Sequence, residues 1–175
     1  ELPVTSCGIV RRETLREALV PNTALVSVMY ANNEIGAIQP IRNLAEVVTT
    51  FRKDALYPLF HSDAIQAVNY LSINIHGLGV DMMSISSAKI YGPKGVGILA
   101  VCHGVPLVPI LTGGGQESGA RSGTESVPLV VGCAEAIVEA QQMKAQERER
   151  LEKFRDALVA EISKTHPDII INGNP

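Results

Sequence analysis

One lysine, one aspartate and a handful of amides and hydroxyls in this chain stand where side chains meet ligands. Lys89 closes the run Met82-Met83-Ser84-Ile85-Ser86-Ser87-Ala88-Lys89, a strand-like segment that ends in small residues. Small neighbours let backbone and ligand approach each other, and ligands of open α/β sheets lie beyond the carboxyl ends of the strands. A lysine desolvated in such a place is a nucleophile toward carbonyl carbon, the basis of Schiff-base chemistry. The plainer alternative is a solvated lysine beside the Gly92-Pro93 turn.

Asp63 follows the apolar run Tyr57 to Phe60, and Gln66 lies one helical turn further on. Residues i and i+3 of a helix share a face, so the two side chains can meet one ligand. A carboxylate there can pair with a protonated ring nitrogen of the kind pyridoxal phosphate carries. An amide can donate to the phenolate oxygen of the same ring. The alternatives are a helix N-cap for Asp63 and a surface position for Gln66. Asn33, past the run Ala24 to Met29, is either a second amide on that ligand or a turn residue. The glycine-dense loop from Thr112 to Thr124 offers backbone N–H groups, Arg121, and the hydroxyls of Ser122 and Thr124. Those are phosphate-binding groups, although such a loop can also be only a flexible connection. Cys102 and His103 are adjacent, and neighbours at a strand end point to opposite faces, so they do not read as a nucleophile–base couple. Cys102 and Cys133 read as small core hydrophobes, and His61 and His76 show no partner at metal-ligand spacing.

The elements that position these residues follow from periodicity. Helices are expected over Arg11–Leu19 and Ile41–Phe51, the latter with Pro40 near its first turn. Buried strands are expected over Ala24–Met29, Tyr57–Phe60 and Met82–Ile85. The order strand, helix, strand, crossover, strand predicts an α/β fold: a mostly parallel sheet with helices on both faces. Val96–Val101 follows the Lys89 loop too closely for a helical crossover, so it is expected to pair antiparallel. An apolar helix over Val127–Ala140 then leads into a charged amphipathic one ending at Ile162.

The chain has 175 residues, 46% of them hydrophobic, and a net charge of −3. That charge gives no reason to expect nucleic acid or an anionic membrane as partner. No apolar run approaches the roughly 20 residues of a membrane span. Three widely spaced cysteines form neither a disulfide framework nor a metal pattern, so no metal is expected and a reducing cytoplasm is the expected location. Both ends look cut, at Leu-Pro-Val and at Asn172–Pro175, which predicts a piece of a longer protein with exposed apolar edges.

Four motifs occur in order: Tyr-Ala-Asn-Asn-Glu-Ile-Gly from Tyr30, His-Ser-Asp-Ala-Ile-Gln-Ala from His61, Ser-Ser-Ala-Lys-Ile-Tyr-Gly-Pro-Lys-Gly-Val-Gly from Ser86, and Gly-Gly-Gly-Gln-Glu followed by Arg-Ser-Gly-Thr. Together they resemble the cysteine desulfurases of the class V aminotransferase family, and cover essentially the whole chain. The resemblance implies a fold type I pyridoxal-phosphate enzyme acting as a homodimer. It implies a large cofactor-binding domain over residues 1–125, incomplete, and the start of a small α+β domain over 126–175. Lys89 would bind the cofactor aldehyde and move protons at the substrate α carbon. Asp63 would hold the pyridine nitrogen, and Gln66 and Asn33 the phenolate oxygen or nearby groups. Ser86 would bind the phosphate, and Thr124 the phosphate of the partner subunit's cofactor. The implied substrate is L-cysteine. Alanine leaves, and a persulfide passes to iron–sulfur cluster assembly or tRNA thiolation through a sulfur-acceptor scaffold protein.

The sequence departs from the family pattern at Ala88, where a histidine is usual, and at Ser118, where an arginine is usual. The family's stacking histidine, persulfide cysteine and carboxylate-binding arginine have no match in these residues, so the isolated chain is expected to be inactive. A selenocysteine lyase, another class V lyase, or a scaffold that has lost the cofactor are the competing expectations. Joint retention of Asp63, Gln66 and Lys89 speaks against the scaffold, which needs none of them.

Overall fold

The computed structural model describes residues 1–173; Asn174 and Pro175, half of the expected cut end, lie outside them. Four strands form one sheet in the order β1 (Leu25–Met29), β2 (Leu59–Asp63), β3 (Met82–Ser86) and β4 (Gly97–Val101). The first three are parallel, and β4 pairs antiparallel with β3. Helix α1 (Arg12–Ala18) precedes β1, α2 (Ile41–Arg52) joins β1 to β2, and the short α3 (Ile75–Leu78) lies between β2 and β3. The two apolar and amphipathic segments expected at the carboxyl end are one unbroken helix, α4 (Val127–Thr165), with Pro128 in its first turn. Pro at that place costs no hydrogen bond, because the first N–H groups of a helix are unpaired anyway.

The core is one-sided. Val26 and Val28 of β1, Phe60 of β2, and Met83 and Ile85 of β3 point into a buried cluster with Leu15, Ile41, Leu44, Val47 and Val48. Ala136, Ile137 and Ala140 of α4 pack at its margin. Sequential strands joined by crossovers of one hand put their helices on the same side, and α1 and α2 supply that buried layer. β1 is accordingly not a strand buried on both faces: Leu25 and Ser27 are exposed while Val26 and Val28 are buried. β4 is an edge, with Ile98 and Leu99 exposed.

Three polar clamps hold the elements in place. Arg52 at the end of α2 forks onto Asp81 with N···O distances of 2.7 and 3.1 Å. The Phe60 N–H donates to the same carboxylate at 2.7 Å, so one side chain joins α2 to the start of β2 and β3. Buried Gln39 accepts from the Val10 N–H at 2.9 Å and donates to the Gly8 carbonyl at 2.6 Å. Gln141 of α4 donates to the Val68 and Leu71 carbonyls at 2.6 and 3.0 Å, which seats the helix on the connection leaving β2. No helix among the described residues is long and apolar enough to cross a membrane.

Candidate functional site

Side chains alternate across a strand, and the register decides which of them meet. Asp63 lies opposite Ser84, and Ser86 is two residues further along β3 on the same face. β2 runs further than the sequence suggests: Asp63 is its last residue and not a residue beyond it. The segment after it is also not a helix. Residues 65–70 form successive turns, with the Ala67 N–H donating to the Ala64 carbonyl at 2.8 Å and Leu71 to Ala67 at 2.8 Å. Asp63 Oδ1 accepts the Ile65 N–H at 2.9 Å. It therefore does cap the local backbone, but as an Asx turn that leaves Oδ2 with no protein partner.

β3 ends in a single 3-10 turn, Ser87–Lys89, which places Lys89 just past the carboxyl end of the sheet. The Asn69 side chain donates to the Lys89 carbonyl at 2.9 Å and ties this turn to the connection after β2. The Lys89 side chain is exposed, so the described residues do not supply the desolvation expected for it. Asn33 is exposed and Gln66 half-buried; both line a groove of about 370 Å³ together with Tyr70, Leu71, Arg148 and Arg155. The turn role considered for Asn33 belongs instead to Asn32, whose Oδ1 accepts the N–H groups of Glu34 and Ile35, each at 2.9 Å. The loop before α4 is closed on itself. Ser122 Oγ donates to the Gly114 carbonyl at 2.9 Å, Arg121 donates to the Ser122 carbonyl, and the Gly123 N–H donates to Gln116 at 3.2 Å. Thr124 is exposed at its end. No described contact joins Thr124 to Lys89 or Asp63.

Among the described residues, the amine of Lys89, the hydroxyls of Ser86 and Thr124, the amides of Asn33 and Gln66 and one oxygen of Asp63 make no protein hydrogen bond. Several nearby groups of the same kinds do have partners, namely Asn32, Ser84, Gln116, Arg121 and Ser122, while the Ser87 hydroxyl beside Ser86 is buried without one. The unspent set is an acid, an amine, two amides and two hydroxyls. It fits a ring carrying a basic nitrogen, an aldehyde, a phenolate and a phosphate.

His61 and Ser84 are the residues whose role sequence reasoning missed. Ser27 Oγ and His61 Nδ1 are 2.8 Å apart, and His61 Nε2 and Ser84 Oγ are 2.8 Å apart. Burial pushes the imidazole below its usual pKa, and the Asp63 carboxylate pulls partly the other way. Of the two cysteines expected in the core, Cys133 is there and Cys102 is only half-buried. Cys133 is buried, and Cys102 rests its thiol on the Val80 carbonyl at 3.5 Å. Burial, and then the Asp81 charge, push the Cys102 thiol up.

Residues 1–174 match the family model described as aminotransferase class-V. The chain belongs to the class-V aminotransferase family. Enzymes of this family use pyridoxal phosphate, the group the unspent side chains fit. The chain is 42% identical over 172 residues to the cysteine desulfurase IscS of Dictyoglomus turgidum, covering 98% of this chain and 42% of that protein. It is 43% identical over 176 residues to the cysteine desulfurase of Homo sapiens, covering 99% of this chain and 37% of the relative. Among solved structures it resembles a NifS-like protein with a TM-score of 0.87 and 40% identity, over 93% of this chain and 44% of the other. The sheet therefore has the fold of part of a fold type I pyridoxal-phosphate enzyme, and the chain spans about two fifths of the length of the relatives it matches.

Proposed function

We propose that this chain is the cofactor-holding part of a cysteine desulfurase, which takes sulfur from L-cysteine, releases L-alanine and passes the sulfur on for iron–sulfur cluster assembly or tRNA thiolation. The reading is supported above all by the unspent set: Asp63 and Ser86 on one face at the carboxyl ends of β2 and β3, with Lys89 in the next turn. Pyridoxal phosphate, when bound, supplies a ring that accepts electrons from the substrate α carbon. Lys89 holds the aldehyde and afterwards carries protons to and from that carbon. Asp63 keeps the ring nitrogen protonated through the oxygen that the Asx turn leaves free. Gln66 and Asn33 donate to the phenolate side of the ring, and Ser86 donates to the phosphate.

Thr124 serves the cofactor of a second copy, in keeping with a loop whose own hydrogen bonds are internal. The working protein is then a homodimer, with residues 1–125 in its cofactor domain and 126–175 opening the smaller one. None of Cys7, Cys102 and Cys133 is assigned as the sulfur-accepting thiol. Cys133 is buried and the Cys102 thiol is pushed up. A cytoplasmic location belongs to the same proposal.

The test uses the natural full-length protein. As purified it is expected to absorb in the visible, the colour of a pyridoxal Schiff base. Borohydride should abolish the band and leave the pyridoxyl group on the peptide containing Lys89. A colourless protein that takes up no added cofactor refutes the proposal, and label on any other lysine refutes the role given to Lys89.

A further inference from the structure

The open face of the sheet carries one side chain that touches all three parallel strands. His61 stands directly opposite Ser27 of β1, and its other nitrogen reaches Ser84 of β3, both at 2.8 Å. Ser84 in turn lies opposite Asp63. The seam it crosses is short. The β2–β3 ladder consists of His61 with Met82, Ser62 with Met83 and Asp63 with Ser84, whereas β1 and β2 pair from Leu25 with Leu59 through Met29 with Asp63. Past the Asp63 level the Ala64 N–H donates to the Ser84 carbonyl at 2.9 Å, and the next described link is the Asn69 side chain on the Lys89 carbonyl. The short seam is also the one across which the ring-binding acid faces the phosphate-binding Ser86 and the amine of Lys89.

We propose that His61 is a positioning residue: by engaging Ser27 and Ser84 through its two ring nitrogens it clamps the carboxyl end of β2 between its neighbours and so fixes Asp63 relative to Ser86 and Lys89. The proposal rests on the cofactor role given to Asp63 above. An imidazole suits the task because it has a polar atom at each end of a rigid ring, and serine hydroxyls rotate to donate or accept as either tautomer requires. No other side chain of the three strands bridges both seams.

The test compares His61→Ala, Ser84→Ala, Ser84→Thr and Ser27→Ala in the natural full-length protein. His61→Ala and Ser84→Ala are expected to weaken pyridoxal phosphate binding about tenfold, the scale of one or two lost hydrogen bonds. Ser84→Thr keeps the hydroxyl and restores affinity; Ser27→Ala cuts only the arm to β1 and changes it less. Hydrogen exchange at the Ala64 amide, read on cofactor-free protein, is expected to quicken about tenfold in the two alanine variants that open the β2–β3 seam.

This second readout needs no cofactor. A wild-type protein that binds none defeats the functional proposal, while Ala64 exchange still decides the clamp. If His61→Ala fails to fold, Ser84→Ala, which removes one hydroxyl from a half-buried position, carries the comparison. Variants that melt earlier but keep wild-type affinity overturn the positioning role, and unchanged Ala64 exchange overturns the clamp.

Discussion

Gly92 is where the segment carrying Lys89 passes under α4, and Gly92→Ala puts that passage to a quantitative test. A Cβ on Gly92 would fall inside contact distance of Ser87 Oγ, 2.9 Å from Ala136 Cβ and 3.3 Å from the Ser87 carbonyl oxygen. None of the three yields cheaply. Ser87 is fully buried, Ala136 has no rotamer to change, and the third atom is backbone. Withdrawal of residue 92 would break its N–H bond to the Ser87 carbonyl, 3.1 Å long. Overpacking of this kind costs about 1–3 kcal/mol, and with two rigid neighbours the upper half of that range, about 2–3 kcal/mol, is expected.

Ser87 makes the test sharper. Its Oγ is buried with no hydrogen-bond partner, a state that costs about 1–3 kcal/mol. Ser87→Ala alone should therefore be neutral or stabilising. In the double variant the nearest obstacle becomes Ala136 Cβ, so the cost of Gly92→Ala should fall to about 1 kcal/mol. The two changes would then couple by about 1–2 kcal/mol, well above the ~0.5 kcal/mol scatter of independent sites. Urea unfolding of the four full-length proteins, followed by circular dichroism, measures the cycle. Additive effects, or a Gly92→Ala protein as stable as wild type, would refute the packing argument.

Three further outcomes are expected. Asp81→Asn leaves the Arg52 guanidinium without its counter-charge at a site where the two side chains are 19% and 13% exposed; a loss of about 3 kcal/mol should appear as a lower urea midpoint. His61 is held below its usual 6.5 by burial, so the unfolded chain binds more protons just below that pH and stability should fall as pH drops from 6.5. His61→Asn should flatten that limb, and an unchanged pH profile of unfolding midpoints would count against the burial argument. Iodoacetamide should label half-buried Cys7 before Cys102, and Cys133 only on unfolding; peptide mapping over time gives the order.

Much of this fold is legible in the sequence because its signals are local. Short β-rich runs and the period of Ile41, Leu44, Val47 and Val48 gave the elements, and the short link from Lys89 to Gly97 required an antiparallel partner for β3. What sequence could not supply was register. Whether Ser27, His61 and Ser84 meet depends on three strands aligned side by side, and no spacing along the chain encodes that. The helix expected after Asp63 failed for a related reason. Ala64, Ala67 and Val68 are all fully buried, and the chain is pinned there by Asp63, by Asn69 and by Gln141 from α4. Tertiary contacts thus chose turns over the helix that local spacing allowed. Asn32 and Asn33 illustrate the limit most plainly: two identical residues side by side, of which the backbone made one a turn residue and left the other free.

The open face gives a physical reason for the site to lie where it does. Read along the parallel strands, that face changes character. Leu25, Leu59 and Met82 stand at the amino ends, and Ser27, His61, Asp63, Ser84 and Ser86 follow toward the carboxyl ends, with Met29 opposite Asp63 the apolar exception. Leu59 and Met82 are buried even here, whereas Asp63 and Ser86 are only half-buried. The polar half would be costly to cover with an apolar partner, because each carboxylate or hydroxyl denied water must find a hydrogen bond. Ser27, His61 and Ser84 satisfy one another; Asp63 Oδ2 and Ser86 do not. A molecule that covers the carboxyl end must therefore bring its own donors and acceptors, while the apolar half can be covered by side chains alone. One face thus presents two chemistries: an amino end that side chains can cover, and a carboxyl end beside Lys89 whose unpaired Asp63 and Ser86 oxygens call for a partner with donors of its own.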